Sequence, residues 1–599
     1  MAITYRHDVV WQNFHYTIGD RRDAEGHPYQ MVSELAQVAQ SQSTGGGLNA
    51  FAAHARDTFG HLEHLLAKEP NGAARDAGLQ GAKWSFSKLT GNKARAYDCA
   101  TLKSLAFASD DELVAGVRRT GPIALVGGGT TLAELTAWSE PQGFSLKTSG
   151  SFLHSTLAGS VATASHGSRL GYGGIQNMVR GMHLAVAPGR HCWIERASAP
   201  VLSDKALRDL AAAGTDVMIV RDDRHFENAL IHLGAMGVVL GLAVELTRNI
   251  QFARLRLAKA IDTDWLRLVE QGKFTEMARR HGVDHSPEFY ELTIEPTAPM
   301  GPTALHTWYF KSSRTRTSID SRKPGNSSAA FANLAAKTLD PIKDNVPELL
   351  AKLNALTPDD KSAGGDPGDM ERALGFVLRG TRSALDYYRK DTVFRDATGD
   401  FDPASTGTES GTWGALHPGC ISTGEPGALY NASFAISRER TGEAVRAICA
   451  AVADLPPVFL FTLRFVSQPA GTLAFTRFQE NTVIEIDGLS PLAMQGAALA
   501  LLENPETAHL ASIVRGIENT TAIGAKRVRP ALRNARVDYS MHWGKLGDLD
   551  GAKVVEDFGG NGRGDGSLIE EWRTTRELLV PPHTRHLFEN AAIREYRLV

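Results

Sequence analysis

A glycine-rich stretch from Thr148 to Gly174 contains the residue types best suited to bind an anionic ligand. Six glycines lie among serines, threonines, alanines and two histidines, so few large side chains keep a ligand away from the backbone. Glycine permits tight turns, and free N–H groups and hydroxyls can then bind phosphate oxygens. A flexible surface loop is the alternative, although such loops rarely intersperse glycine with Leu and Val so regularly. The stretch therefore predicts a cradle for a pyrophosphate group.

A second set of reactive side chains lies toward the carboxyl end of the chain. Residues 458–466 read VFLFTLRFV, and this enrichment in β-branched and aromatic residues predicts a strand. Alternation along the strand puts Thr462 and Arg464 on one face, where the permanently charged guanidinium can stabilise an alkoxide in a water-poor pocket. An ion pair between two domains is the alternative role for Arg464. His542 can act as a base near neutral pH, and Lys545 can contact a substrate oxygen. Further candidates on strand-like segments are Glu291, Glu295, Glu480 and Asn481.

Composition and charge exclude several classes of protein. A chain of 599 residues is long enough for two or three domains, and a hydrophobic content of 42% is typical of globular proteins. The net charge of -3 lacks the basic excess that nucleic-acid binding needs, so we expect no nucleic-acid partner. Four widely spaced cysteines without a C-x-x-C pair argue against zinc and disulfide frameworks, and we expect no metal site.

The sequence also bears on the cellular location. The N-terminal residues MAITYRHDVVWQNFHY lack the apolar core of a signal peptide. No run approaches the roughly 20 apolar residues of a membrane helix. We therefore expect a soluble cytoplasmic protein without a membrane span, while the oligomeric state stays open.

The elements that would position the reactive residues alternate between helix and strand. Apolar spacing predicts a helix over 51–67 and another over 132–138, with strands at 123–126, 217–220 and 238–246. Beyond Asn249 the glycine runs stop. The later elements are polar connections at 312–326 and 358–369, a helical stretch between them at about 329–356, and a strand followed by a helix within 434–455. This mixture predicts the α+β fold class.

Several motifs, in a fixed order over most of residues 75–599, carry a resemblance to one family. They are GTTLAEL at 129–135, STLAGS at 155–160, TASHGS at 163–168, VRGMHL at 179–184, IHLGAMGVV at 231–239, MHWGK at 541–545, WR at 572–573 and LFEN at 587–590. The set resembles the vanillyl-alcohol-oxidase superfamily of PCMH-type FAD-binding flavoproteins, in particular its aldonolactone and alditol oxidase branch. The C-terminal part is similar to D-arabinono-lactone oxidases.

The resemblance implies a two-part FAD-binding domain of the vanillyl-alcohol-oxidase type and a central α+β substrate domain, the cap. We expect the FAD-binding domain at residues 1–248 with an N-terminal extension of about 50 residues, the cap at 249–514, and a C-terminal return to the FAD-binding domain at 515–599. The many donors along the cradle favour FAD over FMN. The implied reaction oxidises a CH–OH group of a small-molecule substrate by hydride transfer to flavin N5, with oxygen or another acceptor taking up the electrons.

One segment departs from the family pattern in a way that affects cofactor attachment. The family usually reads G-x-G-H-S-x-S where the chain wraps the flavin, and this His is often bonded covalently to the flavin ring. The matching residues are 81–87, GAKWSFS, with Trp84 at the His position, so we predict non-covalent FAD. An ordinary core aromatic is the alternative role for Trp84. His166, in the cradle turn, is interpreted as structural or adjacent to the cofactor rather than as a base.

The resemblance and the residue types together give the predicted site. The cofactor-binding residues are Lys83, Trp84, Ser85, Phe86, Ser87, Ser149, Gly150, Ser151, His154, Ser155, Thr156, Gly159, Ser160, Thr163, His166, Gly167, Val238 and Lys545. The catalytic residues are Arg464, His542, Lys545 and Thr462.

The substrate side departs from the family pattern too. Thr462 stands where the family strand E-x-R-[FY]-V often has Glu, and residues 430–434 read YNASF in place of E-x-E-Y. Carboxylates there would orient a polyhydroxylated substrate. Their loss weakens the prediction of a sugar lactone or polyol and allows a bulkier, less polar alcohol such as a sterol or an aryl alcohol.

Two further classes of function remain as alternatives. One is a flavin-binding module without catalytic activity. The other is a nucleotide-binding protein without redox chemistry, which is disfavoured because GGGTT at 127–131 lacks the spacing and the lysine of a phosphate loop.

Overall fold

The computed structural model describes fourteen stretches of the chain. They are residues 3–24, 27–38, 46–68, 77–90, 95–150, 153–211, 215–259, 261–294, 304–311, 409–411, 429–453, 459–489, 522–560 and 567–599. The expected connections at 312–326 and 358–369, the helical stretch at 329–356, and the site candidates Ser151 and Glu295 lie outside these stretches. No helix in the described stretches is long and apolar enough to cross a membrane.

The described strands form four sheets. In chain order the strands are β1 (Ile3–Trp11), β2 (Arg21–Arg22), β3 (Pro28–Val38), β4 (Ala77–Gln80), β5 (Arg95–Asp98), β6 (Leu105–Phe107), β7 (Ile123–Gly127), β8 (Phe144–Ser145), β9 (Val179–Ala187), β10 (Arg190–Glu195), β11 (Asp216–Arg221), β12 (Val238–Glu245), β13 (Thr247–Arg248), β14 (Phe252–Lys259), β15 (Pro287–Ile294), β16 (Ala304–Lys311), β17 (Glu409–Gly411), β18 (Leu429–Ser437), β19 (Phe459–Ser467), β20 (Glu480–Leu489) and β21 (Tyr539–Met541).

Helices lie between and around these strands. The α-helices are α1 (Leu48–Lys68), α2 (Leu132–Ser139), α3 (Leu157–Ala162), α4 (Asp204–Ala211), α5 (Asp223–Leu230), α6 (Thr263–Glu270), α7 (Phe274–Arg279), α8 (Thr441–Ala451), α9 (Arg529–Asn534), α10 (Gly551–Phe558), α11 (Leu568–Leu579) and α12 (Ala591–Glu595). Short 3-10 turns occur at Cys99–Thr101, Glu140–Gln142, Ile175–Met178, Arg438–Arg440 and Arg585–Phe588, and a π-helical turn at Ile523–Val528.

The first sheet incorporates the N-terminal extension. Its strand order is β1-β3-β5-β4, with β2 paired to β3. β3 runs parallel to β5, which in turn runs parallel to β4. The extension therefore shares a sheet with β4, the strand that leads directly into residues 81–87.

The second sheet forms the first hydrophobic core, in the order β11-β10-β9-β12-β7-β6. Its strand β12 is buried along all eight residues. Helix α1 can pack against β12 because Gly241 leaves room for Phe51, since a Cβ at Gly241 would lie 2.1 Å from the phenyl ring. Helix α2 begins with a capping box in which Thr131 and Glu134 each accept a hydrogen bond from the other's backbone N–H. The helices and strands expected in this region all form.

Apart from the two-stranded sheet of β8 and β13, the remaining sheet has eight strands, and we call it the third sheet. It forms a second core, and its strand order is β17-β14-β16-β15-β19-β20-β18-β21. Both elements expected within 434–455, a strand and a helix, appear as β18 and α8. The second core also includes Ile523, Val528, Leu532, Tyr539 and Met541, whereas Trp543 and the helices after it pack in the first core. Because β21 pairs with β18, the described residues from Ile523 to Met541 contribute to the second core, and those from Trp543 onward pack in the first core. The domain division itself stays a prediction.

Candidate functional site

A cavity of about 360 Å³ is lined both by the glycine-rich cradle and by the third sheet. Residues 81–86 and part of the MHWGK motif near the carboxyl end also line this cavity. Its size is in the range of cofactor and small-molecule sites. The expected cofactor side and the expected substrate side therefore meet in one space.

Most of the residues expected in the site line this cavity. They are Lys83, Trp84, Ser85, Phe86, Gly150, Ser155, Thr156, Gly159, Ser160, Thr163, His166, Thr462, Arg464, His542 and Lys545. Five of the predicted cofactor-binding residues that the structure describes are not on this lining, namely Ser87, Ser149, His154, Gly167 and Val238, and their role stays a prediction.

Each of these five residues is next in sequence to a residue that lines the cavity. Gly167 is packed against Ser149, since a Cβ on Gly167 would lie 2.4 Å from the Ser149 carbonyl oxygen. Val238 is fully buried at the start of β12. Ser87 lies behind Ser85, with the two hydroxyls 3.1 Å apart. The His154 ring lies 5.4 Å from the Trp84 ring, measured between centroids.

Local hydrogen bonds explain why the cradle folds as it does. Thr156 caps α3, and its hydroxyl accepts a hydrogen bond of 3.2 Å from the Gly159 backbone N–H. The hydroxyls of Ser155 and Ser160 lie 2.7 Å apart. The Leu157 N–H donates to the carbonyl of Thr130 at 2.8 Å, which ties the cradle to the GTTLAEL motif. The two motifs that the sequence singled out thus form one folded unit.

The cofactor side of the cavity fits a long ligand rich in acceptor oxygens. The side-chain Nε2 atoms of Gln80 and His232 are buried without a protein partner, and both residues line the cavity. His232 Nδ1 accepts a 3.0 Å hydrogen bond from the Gly234 N–H, so the neutral ring carries its proton on Nε2 and can donate it. Burial lowers the pKa of His232 to about 4, which keeps the ring neutral. His232 lies in the IHLGAMGVV motif, so the resemblance already contained the signal for it.

Six neighbouring strands of the third sheet present polar side chains to the other side of the cavity. These are Arg254 on β14, Tyr309 on β16, Glu291 and Thr293 on β15, Thr462 and Arg464 on β19, Glu485 and Asp487 on β20, and Asn431 on β18. The strand register explains their meeting. Glu291 pairs with Arg464 across β15 and β19, Thr462 with Glu485 across β19 and β20, and Asn431 with Asp487 across β18 and β20. We call this set the polar sheet face.

Arg464 lies between two carboxylates on the polar sheet face. Its Nε atom is 3.0 Å from Glu485 Oε2 and 3.6 Å from Glu291 Oε2. Burial alone would lower the pKa of Arg464, but the charges of Glu485 and Glu291 raise it above its usual value. The guanidinium is therefore a fixed positive charge beside the cavity.

Glu485 is the central member of the charged group, and the sequence reasoning missed it. Its side chain is 3% exposed, and it accepts hydrogen bonds from Lys545 Nζ and, at 3.3 Å, from Ser433 Oγ. Although burial raises its pKa, Arg464 and Lys545 lower the pKa of Glu485 well below its usual range. The available signal was the pair of acidic residues at alternate positions of an otherwise apolar strand, VIEID at 483–487.

Asp487 is the second missed carboxylate, and its electrostatic environment is the opposite. Burial, and then the negative charge of Glu485, raise the pKa of Asp487 to about 6. Its carboxylate accepts a hydrogen bond from the Asn431 amide. Two carboxylates on the same face of one strand thus have pKa values shifted in opposite directions, so that Asp487, unlike Glu485, can exchange a proton near neutral pH.

The geometry argues against the expected role of His542 as a base. Its Nδ1 accepts a 2.9 Å hydrogen bond from the Gly544 N–H, so the neutral ring carries its proton on Nε2. Burial, and then the charge of Lys545, lower the pKa of His542 well below its usual value. The ring is a neutral donor in the same kind of turn as His232. His166, whose ring centroid lies 6.3 Å away, is also neutral, because burial lowers its pKa to about 4.

The remaining candidates have structural partners. Lys545 is held by Ser433 and Glu485, and its motif contacts the cofactor side where the Phe86 N–H donates to the Gly544 carbonyl at 2.9 Å. Glu480 forms an ion pair with Arg438. Asn481 is buried and donates to the Val466 carbonyl at 3.1 Å. Four further candidates were named on strand-like segments, namely Glu291, Glu295, Glu480 and Asn481. Of those that the structure describes, Glu291 alone lines the cavity.

Parts of this chain are similar to known flavoproteins. Residues 112–195 match a family model described as an FAD binding domain. An alditol oxidase from Streptomyces sp. is 32% identical over 130 residues, which make up 22% of this chain. The matched region spans 25% of the length of that curated relative.

Solved structures match over a much larger part of the chain. Cholesterol oxidase from B. sterolicum has a TM-score of 0.57 at 12% identity, covering 99% of this chain and 97% of that one. A VAO-type flavoprotein from Myceliophthora thermophila C1 has a TM-score of 0.50 at 13% identity, covering 93% of this chain and 80% of that one. At such low identity the likeness shows the fold alone. The predicted α+β FAD-binding fold and FAD as the cofactor are confirmed. The chain contains an FAD-binding domain and has a fold like that of VAO-type flavoproteins.

Proposed function

We propose that this protein is an FAD-dependent oxidoreductase that oxidises a carbon bearing a hydroxyl group. The observation that carries the proposal is the polar sheet face, because it combines a fixed cation with two carboxylates whose pKa values are shifted in opposite directions, all lining the cavity. A protein that only stores or carries FAD has no need for such an arrangement. The charged face therefore favours an enzyme over the inactive binding module.

The cradle is the part of the site that would hold FAD. Hydroxyl groups at 155–163, together with the unpartnered Nε2 of His232, would supply donors to the cofactor oxygens. When bound, FAD supplies the acceptor for the hydride that leaves the substrate carbon.

Arg464 would bind the substrate oxygen and stabilise the negative charge that develops on it as the C–H bond breaks. Glu485 orients Arg464 and Lys545 at once, since it lies 3.0 Å from the first and accepts a hydrogen bond from the second. Its low pKa means that it serves as a fixed counter-ion rather than as a base.

Asp487 is the residue that we propose as the general base. Its carboxylate would accept the proton of the substrate hydroxyl, while Asn431 holds it in place. A pKa of about 6 leaves most of the group ionised at neutral pH, close to the working range of an efficient base. The neutral His542 would donate from Nε2 and so help to position the substrate.

The substrate that this site favours is a polar one, a sugar lactone or a polyol. The carboxylates absent from positions 430–434 and 462 are replaced by Glu485 and Asp487 on the neighbouring strand. The argument from lost carboxylates toward a sterol or aryl alcohol is therefore weakened, because a strongly apolar substrate would desolvate these charges without pairing them. We propose oxygen as the electron acceptor, in keeping with the oxidase relative.

An anaerobic substrate panel tests the proposal. The FAD-loaded protein is mixed with polyols and sugar lactones in one set and with sterols and aryl alcohols in the other, and loss of the oxidised flavin absorbance is followed. We expect bleaching by a member of the first set, and hydrogen peroxide formation once oxygen is admitted. Bleaching by the second set alone would establish the less polar alternative, and no bleaching by either would contradict the proposed enzyme.

A further inference from the structure

The N-terminal loop, residues 11–18, lies directly against the wrap segment, residues 81–87. The loop connects β1 to the rest of the extension, and the wrap segment follows β4. No regular secondary structure spans residues 81–87, so hydrogen bonds from elsewhere must fix its backbone. The N-terminal loop supplies them.

Three carbonyl groups of the wrap segment accept hydrogen bonds from the N-terminal loop. The Phe14 backbone N–H donates to the Lys83 carbonyl at 2.9 Å. The amide of Asn13 donates to the Ser85 carbonyl at 3.0 Å, and the hydroxyl of Thr17 donates to the Phe86 carbonyl at 2.8 Å.

Hydrogen bonds within the N-terminal loop fix its own conformation. Asn13 is fully buried, and its Oδ1 accepts hydrogen bonds from the backbone N–H groups of Thr17 and Ile18 at 3.0 and 3.1 Å. One side chain thus closes the turn of the loop and binds the wrap segment. Trp11 anchors the start of the loop by donating from Nε1 to the side chain of Gln80, which lines the cavity.

Ring stacking adds a second set of contacts between the two segments. The Phe14 ring stacks on Trp84 with centroids 4.1 Å apart, and the His15 ring stacks on Phe86 with centroids 3.5 Å apart and planes within 10°. His15, Trp84 and Phe86 all line the cavity. Burial lowers the pKa of His15 to about 3, so this ring is a neutral flat surface at ordinary pH.

The opposite side of the wrap segment contacts the MHWGK motif. The Phe86 N–H donates to the Gly544 carbonyl, and the Ser85 hydroxyl donates to the same carbonyl at 3.3 Å. The wrap segment is therefore held from two directions, by residues near opposite ends of the chain.

We propose that residues 13–17 of the N-terminal loop are part of the FAD-binding site, in which Asn13 and Thr17 act as positioning residues for the wrap segment and His15 contacts the cofactor directly. The loop holds the wrap segment in the conformation that encloses FAD, at the place where Trp84 removes the histidine that the resembled family often uses for a covalent bond. This inference concerns cofactor binding and does not depend on the reaction proposed above.

The test compares FAD affinity with the stability of the apoprotein in four variants of the full-length chain. Thr17→Val removes one hydroxyl with little change of shape, and His15→Ala removes the stacked ring. Asn13→Ala removes the side chain that closes the turn of the loop and binds the wrap segment. Gln12→Ala is the matched control, because Gln12 donates to Asp23 at 2.9 Å rather than to the wrap segment. FAD binding is measured by titration of the apoprotein, and stability by the Tm of the apoprotein.

We expect Thr17→Val and His15→Ala to raise the Kd for FAD by roughly two- to tenfold, as expected for the loss of one hydrogen bond or contact, with the Tm of the apoprotein near that of the parent. Asn13→Ala, which loses several bonds, should raise the Kd further. His15→Ala should also shift the absorption bands of bound FAD, which a change confined to folding would not do. Gln12→Ala should leave the Kd and the spectrum unchanged.

A parental Kd in Thr17→Val and His15→Ala would overturn the proposal, whatever their Tm. A raised Kd that occurs equally in Gln12→Ala would overturn it too, because the effect would then reflect general weakening of the extension. If Asn13→Ala does not fold, the near-isosteric Thr17→Val variant still decides the question.

Discussion

The two sides of the cavity are built by opposite means. The cradle at 155–163 is made of glycine, hydroxyl groups and backbone N–H groups, and its contacts join residues close in sequence, such as Thr156 and Gly159. The polar sheet face is made of charged side chains, and its contacts join residues far apart, such as Arg464 with Glu291. The difference predicts that the two sides have separate roles. The cradle determines the affinity for FAD, and the polar sheet face determines the rate of the reaction.

The first prediction concerns how the cradle side holds FAD. With Trp84 at the position of the family histidine, we expect all of the FAD to leave the protein on acid or heat denaturation. The measurement is the flavin absorbance of the supernatant after precipitation. Flavin that remains with the precipitate would reveal attachment to some other residue.

The largest effect on rate is expected at Arg464. Arg464→Ala should lower the rate of flavin reduction about 10²–10³-fold, the range seen when one oxyanion donor is removed, because the fixed charge that contacts the substrate oxygen is lost. Arg464→Lys should restore part of the rate, since an ammonium group lacks the planar fork. Both variants should bind FAD with parental affinity. If Arg464→Ala keeps the parental rate, the residue is a structural ion pair.

Asp487 gives a pH dependence with a defined sign. A general base must be ionised to accept a proton, so the parental reduction rate should level off well above pH 6 and fall as the pH drops through about 6. Asp487→Asn should lower the rate at neutral pH about 10²-fold and abolish this dependence. A parental profile without an inflection near pH 6 would remove Asp487 from the mechanism.

His232 tests the cofactor side with a smaller effect. His232→Leu removes the Nε2 donor while filling a similar volume, and it should raise the Kd for FAD about fivefold, as for one lost hydrogen bond. The reduction rate of the FAD-saturated variant should match that of the parent. An unchanged Kd would show that the buried Nε2 atom does not bind the cofactor.

Thr462 should show the smallest effect. Its hydroxyl can orient a substrate but cannot take up a proton at neutral pH, so Thr462→Ala should lower the reduction rate only about threefold, the loss expected for one hydrogen bond. The same rapid-mixing assay measures it. A loss as large as that of Arg464→Ala would mean that Thr462, opposite Glu485 in the strand register, has a greater role than orientation.

The same comparison explains what the sequence could and could not predict. The cradle was predictable because its glycines, caps and turns are local, and the resemblance carries them in order. Val238 and Gly167 are predicted cofactor-binding residues that do not line the cavity, since a motif does not show which way each residue faces. Glu485 and Asp487 were missed because their role depends on the pairing of β20 with β19 and β18, which sequence spacing does not reveal.

Two other features needed the structure for the same reason. The return to the first core at Trp543 depends on the pairing of β21 with β18. The N-terminal loop is about seventy residues before the wrap segment that it contacts, and no local pattern connects the two. The hydrogen bond from the Gly544 N–H to His542, which leaves the neutral ring a donor at Nε2, also cannot be inferred from the sequence.

The most direct test of these separate roles of the cradle and the polar sheet face is one anaerobic rapid-mixing experiment on three proteins saturated with FAD. The parent, Arg464→Ala and His232→Leu proteins are mixed with the substrate that bleaches the parent, and the rate constant of flavin reduction is measured. The account predicts a rate lowered about 10²–10³-fold in Arg464→Ala and a parental rate in His232→Leu. Equal slowing of the two variants, or slowing of His232→Leu alone, would contradict it.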